Sequence, residues 1–402
     1  MKILIVNYHF PPSTTAHSYR WALLRDHFIE EGHTVDVICG GNSGGIDEEN
    51  SGIYRVNGFK RNTSSIVTGG CSDIKTGSIS TALRTCRTYA VKLLKKVHQL
   101  LFWPDGLWHW LPPALLKVMQ LKNNEYDLIV GYSPTFSAII ASAYAKKINK
   151  KSKLIFDYGD PFSVSKSMPV NNFKIYEKLN YFIENKLLLK ADFVSLSNSN
   201  TMSLYRESFD KNINFNVIPH LVNVDSFYSG VNSVSKENFS IGYVGAFHKG
   251  IREPDLALKV LNKIKNSNFN FYFYGPLNGV EFCESENLKH YGSLERSLAI
   301  NKMKEFDVII NVENESCPMT PSKIYECMAT GKPIVNFLSG TEISSFSNYP
   351  LVFDVDNNTS IDDVENFINN NAGKSLTLDE VNRILEGKTV KSIAGVYLSL
   401  VR

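Results

Sequence analysis

The chain lacks most of the features that would place it outside the ordinary globular class. It has only six cysteines in 402 residues, at 39, 71, 86, 283, 317 and 327, with no CxxC pair among them. That excludes a zinc ribbon and a disulfide framework and suits a reducing compartment. It has no excess of one charge: 43 Lys and Arg against 40 Asp and Glu leave +3, too little to indicate a nucleic-acid partner. It has no long apolar run. The first apolar stretch, Ile3 to Val6, is too short for the core of a signal peptide. The longest uncharged stretch, Leu128 to Ala145, carries Gly131, Ser133, Pro134, Ser137 and Ser142 and reads as strand, turn and helix rather than a membrane span. It has no repeat at a fixed period of about 20–50 residues. A cytoplasmic protein is expected, with an inner-membrane surface contact left open.

What is present is a rhythm. KILIVNY (2–8) reads as a strand, Ser18 to Glu31 has helical spacing with Trp21, Leu24 and Phe28 on one side, Gly32 ends it, and TVDVIC (34–39) is the next strand. Strand, helix and strand with a glycine cap make a βαβ unit. Further strands are expected at 127–133, 153–158 and 192–197, with helices near 80–101, 112–122, 135–149, 173–190 and 199–209. The alternation restarts in the second half with strands at 239–245, 269–275, 307–312 and 333–337 and helices at 253–266 and 321–330. The fold class is therefore α/β: two doubly wound, Rossmann-like domains facing a cleft. The expected boundaries are 1–225 and 238–385, with 229–238 as linker and 386–402 as a C-terminal helix crossing back to the first domain. Residues 40–52 and 62–80 read as loops. Ligands in such sheets sit beyond the carboxyl ends of the strands, so chemistry is expected near 9–20, 133–135, 158–161, 245–252, 275–279 and 313–323.

The segment Thr320-Pro321-Ser322-Lys323-Ile324-Tyr325-Glu326 reads as a helix start, with Thr320 as N-cap and Pro321 at the first helical position. Its free amides at Ser322 and Lys323 suit an anion. Glu326, one turn further on the same face, suits the two hydroxyls of a ribose. A plain capped helix fits the same pattern.

PSKIYECMATGKPIV resembles the donor-site segment of family-4 glycosyltransferases, which have the GT-B fold. NYHFPP, EEGHTVDVI, SPTFSAIIASAYAKK, KLIFDYGDPFS, ADFVSLSNS, NVIPHLVNVDSF, YVGAFHKG, FYFYGP, HYGSL and EFDVIINV are similar to that family's segments in order along nearly the whole chain. The resemblance implies a retaining, metal-independent transfer of a sugar from a nucleotide-diphosphate sugar to a glycan or lipid-linked saccharide, of the bacterial glycan-biosynthesis type. No cofactor beyond that co-substrate, and no nucleic acid, is implied. On this resemblance Glu326 holds the ribose, and Pro321, Ser322, Lys323 and Gly245 line the donor diphosphate. Lys249 and Arg252 supply the cations, since the family's usual arginine position is Ala246 here. The family's second acid falls at Pro318, with Glu313 and Glu315 nearby. Asp160 orients sugar hydroxyls or caps the turn before Pro161, and Gly159 stands where a His or Arg is common. Thr14, Thr15, His17 and Arg20 lie on the acceptor side.

Two other features carry expectations. Asp354-Val355-Asp356 has the spacing of a metal-binding DxD and reads instead as a strand end and helix cap. Residues 84–122 hold seven Lys and Arg, one acid, and three of the four tryptophans (Trp103, Trp108, Trp110). That pattern suits peripheral contact with an anionic membrane, and equally a solvated helix pair over aromatic core. Two alternatives to transfer stay open: a nucleotide-sugar 2-epimerase on the same fold, and a non-catalytic sugar or nucleotide binder.

Overall fold

The computed structural model describes residues 1–13, 16–41, 51–57, 93–94, 97–98, 100–107, 109–164, 174–230, 238–315, 323–338, 344–346 and 348–401. The chain divides into two compact units, Met1–Val217 with Leu400–Arg402, and Ile218–Ser399.

The first unit is built on β1 (Lys2–Val6), β2 (Thr34–Gly40), β3 (Ile53–Val56), β4 (Leu128–Ser133), β5 (Lys153–Tyr158), β6 (Phe193–Leu196) and β7 (Phe215–Val217). They form one sheet in the order β3-β2-β1-β4-β5-β6-β7, parallel throughout. Its helices are α1 (Ala16–Glu30), α2 (Leu111–Gln120), α3 (Phe136–Ile148), α4 (Glu177–Leu188) and α5 (Ser199–Ser208). The spacing of Trp21, Leu24 and Phe28 does what it predicts: all three are fully buried, each contributing about 1.5–3 kcal/mol of apolar burial. Gly32 ends α1 at φ +83°, with its amide on Ile29 and that of His33 on Phe28. Asn198 caps α5 by accepting from the Thr201 amide at 2.8 Å.

The second unit holds β8 (Phe239–Val244), β9 (Phe269–Tyr274), β10 (Leu288–His290), β11 (Val308–Val312), β12 (Ile334–Phe337) and β13 (Val352–Val355). Their order is β10-β9-β8-β11-β12-β13, again parallel. Its helices are α6 (Val224–Phe227), α7 (Asp255–Leu261), α8 (Arg296–Glu305), α9 (Lys323–Ala329), α10 (Ile361–Asn371), α11 (Leu378–Ile384) and α12 (Val390–Ser399). Ser360 caps α10, and Thr377 with Glu380 forms a reciprocal capping box on α11.

Three expectations are corrected. The stretch 218–225, read as the end of the first domain, packs with the second: Val222, Val224 and Phe227 share a core with Met303, Ile324 and Met328. The helix read at 253–266 is only Asp255–Leu261; β3, β7 and β10 are short strands outside the expected set, and β13 is the strand expected to end near Asp354. α12 groups with the second unit and the residues after Ser399 with the first. The helix expected near 80–101 and the loops expected at 40–52 and 62–80 fall wholly or mostly outside the described residues.

Candidate functional site

In each sheet the strand order reverses beside the first strand of the unit, between β1 and β4 and between β8 and β11. Such reversals open a crevice at the carboxyl ends of the strands. Both crevices gather polar side chains.

In the second unit, the loop after β8 folds back on itself. His248 and Arg252 exchange backbone bonds at 3.0 and 2.8 Å, and Lys249 lies exposed at the turn. Arg252 then crosses the reversal: its Nε donates to Asn314 Oδ1, just past β11, at 3.0 Å. The Glu315 amide donates to Ile251 across the same gap at 2.8 Å. Gly275, at φ +135°, lets this loop pass close, because a β-carbon there would collide with the Gly245 carbonyl.

Lys323 enters from the start of α9. Its Nζ lies 3.4 Å over the Tyr243 ring and beside Gly245, where a β-carbon would come to 2.5 Å from it. Burial pulls this amine down to about 7 and pushes the Tyr243 hydroxyl up to about 12, partly offset by Arg252. Glu326, one turn on, is half-buried and accepts from Arg296 Nη2 at 2.8 Å. Of the residues expected on the donor side, Gly245, Arg252 and Lys323 therefore come together, with Glu326 one turn along α9 from Lys323. Pro321 and Ser322, like Thr320 and Pro318, lie outside the described residues.

Glu313 is buried and turned inward. It accepts from the Ser345 amide at 3.1 Å, Ser345 Oγ at 2.9 Å and Asn336 at 3.2 Å; Glu315 is exposed. Asp354 accepts from Asn336 and Ser344, both at 2.7 Å. Asp356 holds the turn before α10 through Thr359 and Asn358. The DxD pair thus serves a strand end and a turn. Among the described residues no three His, Cys, Asp or Glu side chains converge as a metal site.

In the first unit, His17 and Asp160 meet at the reversal, Nε2 to Oδ2 at 3.3 Å. Tyr132, on β4, approaches the other ring nitrogen of His17 at 3.5 Å. The Tyr132 hydroxyl also occupies the space a side chain at 159 would need, which is why that position is Gly159. Burial raises the Asp160 carboxyl above its ordinary value, opposed by His17. His9 follows β1, and burial with the charge of His17 lowers it to about 4. Arg20, expected on the acceptor side, is buried. It is 7% exposed and its Nε donates to buried Asp157 at 2.8 Å. Asp157 also accepts from Trp21 at 2.8 Å and Ser195 at 2.6 Å. Thr14 and Thr15 lie outside the described residues.

No protein-family model and no curated protein sequence matches the chain. Solved structures do. HepE of Anabaena in complex with UDP matches at 13% identity and a TM-score of 0.60, covering 99% of both chains. Sucrose-phosphate synthase of Thermosynechococcus elongatus matches at 13% and 0.61, over 100% of this chain and 98% of that one. A glycosyltransferase of Rickettsia africae matches at 13% and 0.63, over 100% and 97%. The chain has the GT-B fold. Within GT-B, reading from sequence placed His9 only at the edge of the expected 9–20 window and missed Tyr132, Arg296 and Tyr243. Tyr132 sits at the end of a strand flanking a reversal and was open to the topological rule. Arg296 and Tyr243 carry no local signal.

The tryptophan cluster divides. Trp110 is fully buried against Tyr8, and Trp103 donates to Asn180 at 2.6 Å while packing on the core. Trp110 is core and Trp103, partly buried, packs against it, so these two rings fit the aromatic-core reading of the stretch 84–122. Trp108, Lys92, Lys95 and Lys96 lie outside the described residues. The exposed apolar side chains nearby include Leu93, Leu94, Val97, Leu100 and Leu101. Among the described residues no helix is long and apolar enough to cross a membrane.

Proposed function

We propose that the chain is a glycosyltransferase that moves a sugar from a nucleoside-diphosphate sugar to a hydroxyl of a glycan or lipid-linked saccharide. The observation that carries this reading is the convergence of Gly245, Arg252 and Lys323 at the strand reversal of the second unit, with Glu326 one turn further along α9. A departing nucleoside diphosphate gains negative charge, and fixed cations stabilise it most where they need no rearrangement. Arg252 and Lys323 are placed for that charge, Lys249 can approach from the exposed turn, and Glu326 accepts from ribose hydroxyls. His17 and Asp160 offer an acceptor-side pair in the first unit.

Retention of configuration, independence from a divalent ion and a lipid-linked acceptor belong to the same proposal, and rest on the resemblance of PSKIYECMATGKPIV and its companion segments to family-4 enzymes. Peripheral contact with an anionic membrane rests on the basic stretch 84–122 and on exposed Leu93, Leu94, Val97 and Leu101 within it.

Hydrogen exchange with and without UDP, GDP and ADP tests the donor site. One of them is expected to protect amides in 245–252 and 323–329. Protection confined to other segments, or none with any of the three, contradicts the assignment.

A further inference from the structure

Lys323 carries an ammonium group into surroundings that do little to hold its charge. The residue is 8% exposed, and among the described residues its Nζ has no hydrogen-bond acceptor. Three elements face it. From β8 come Tyr243, whose ring lies beneath Nζ, and, in the loop beyond, Gly245, which leaves the amine room. The same loop brings Arg252, whose charge opposes protonation. From α9 come Glu326 and Cys327, which favour it. Glu326 is already engaged by Arg296, and burial keeps the Cys327 thiol up at about 11, so it is uncharged near neutrality. Beyond β11, Glu313 has its oxygens bonded to Ser345 and Asn336. A buried amine without an acceptor is costly unless something completes its shell. Beside Arg252, the group that completes it is an anion of more than one charge.

We propose that the Lys323 amine is a proton-coupled receptor for the diphosphate: it takes a proton from solvent as a nucleoside diphosphate binds beside it and Arg252. This rests on the glycosyltransferase reading, which already sets Lys323 beside the diphosphate, and adds to it how the protonation of that amine follows binding. The amine of the empty site lies near 7, and a neighbouring anion raises it. Binding therefore takes up a proton above neutrality. Affinity falls as pH rises through the interval between the two values, with a limiting slope of about tenfold per pH unit.

The test is calorimetric titration of the full chain with UDP, GDP and ADP at pH 7 to 9, in buffers of different ionisation heat. This range lies above the titration of a terminal phosphate near 6, so uptake there belongs to the protein. Wild type is expected to take up about 0.9 proton at pH 8 with the nucleotide that binds. Lys323→Met is expected to bind that nucleotide at least tenfold more weakly at pH 7, with no uptake and a flat pH profile. Lys323→Arg, charged throughout, is expected to bind without uptake. Thermal unfolding checks that each variant is folded, and the wild-type proton count stands without them. Nucleotide binding with no uptake at pH 8, or uptake that persists in folded Lys323→Met, overturns the inference and leaves the glycosyltransferase reading intact. Failure of all three nucleotides to bind overturns both.

Discussion

Arg296 on α8 holds the Glu326 carboxylate on α9 through a 2.8 Å bond between charged groups. The pair fixes which way the carboxylate faces before any ligand arrives. If Glu326 accepts from ribose hydroxyls, Glu326→Ala loses a charge-assisted bond worth about 1.5–3 kcal/mol, or ten- to hundred-fold in nucleotide affinity. Arg296→Ala loses less, because the carboxylate remains. The double variant resembles Glu326→Ala alone, since Arg296 acts through the residue already removed. Calorimetry on the three variants reads this directly, and equal affinity in wild type and Glu326→Ala refutes it.

Arg20 and Asp157 make the opposite kind of pair, buried at 7% and 3% exposure. Removing one partner of such a pair strands the other charge and costs about 3–5 kcal/mol. Arg20→Ala is therefore expected to lower the stability of the first unit by that amount in chemical denaturation. A variant as stable as wild type that loses only acceptor affinity would return Arg20 to the acceptor side.

These two arginines show where reading from sequence works and where it stops. The doubly wound sheets were legible because β-branched runs and amphipathic stretches alternate, and because Gly32 marks a helix end. Lys323 and Glu326 were legible as neighbours because helical spacing is fixed. Arg20 was legible as a conspicuous residue after the first strand and not as a buried one, because its partner Asp157 lies 137 residues away. The buried Lys323 amine depends on Gly245 and Tyr243, which only the packing of α9 against β8 brings to it. The short strands β3, β7 and β10 have too few residues for their period to stand out.

His9 links the first unit's stability to pH. Its folded value, about 4, lies below the ordinary 6.5, so the unfolded chain binds the extra proton first as pH falls. Its contribution to stability is fully present above about 6.5 and is lost progressively down to about 4. Asp160, raised by burial, has the opposite slope, so the comparison is between variants. His9→Gln is expected to lose less stability than wild type between pH 6.5 and 4. Parallel denaturation profiles for the two proteins would count against a buried, neutral His9.

Membrane contact predicts two different salt dependences. Each basic residue near an anionic surface is worth about 1 kcal/mol and is screened within a Debye length. Replacing Lys92, Lys95 and Lys96 with Gln is expected to weaken co-sedimentation with anionic vesicles chiefly at low salt. Replacing Leu93, Leu94 and Leu101 with Ser is expected to weaken it at every salt concentration, because apolar burial is barely screened. Wild type that fails to sediment with such vesicles at low salt contradicts the contact.

The most direct measurement of the central claim is a proton NMR time course of the full chain with a panel of nucleoside-diphosphate sugars and saccharide acceptors. The account predicts that one donor loses its anomeric signal as free nucleoside diphosphate and a new glycosidic anomeric signal grow in equal amounts, the new linkage keeping the donor's configuration. A donor converted to its 2-epimer, or one that binds and stays unchanged with every acceptor, would contradict it.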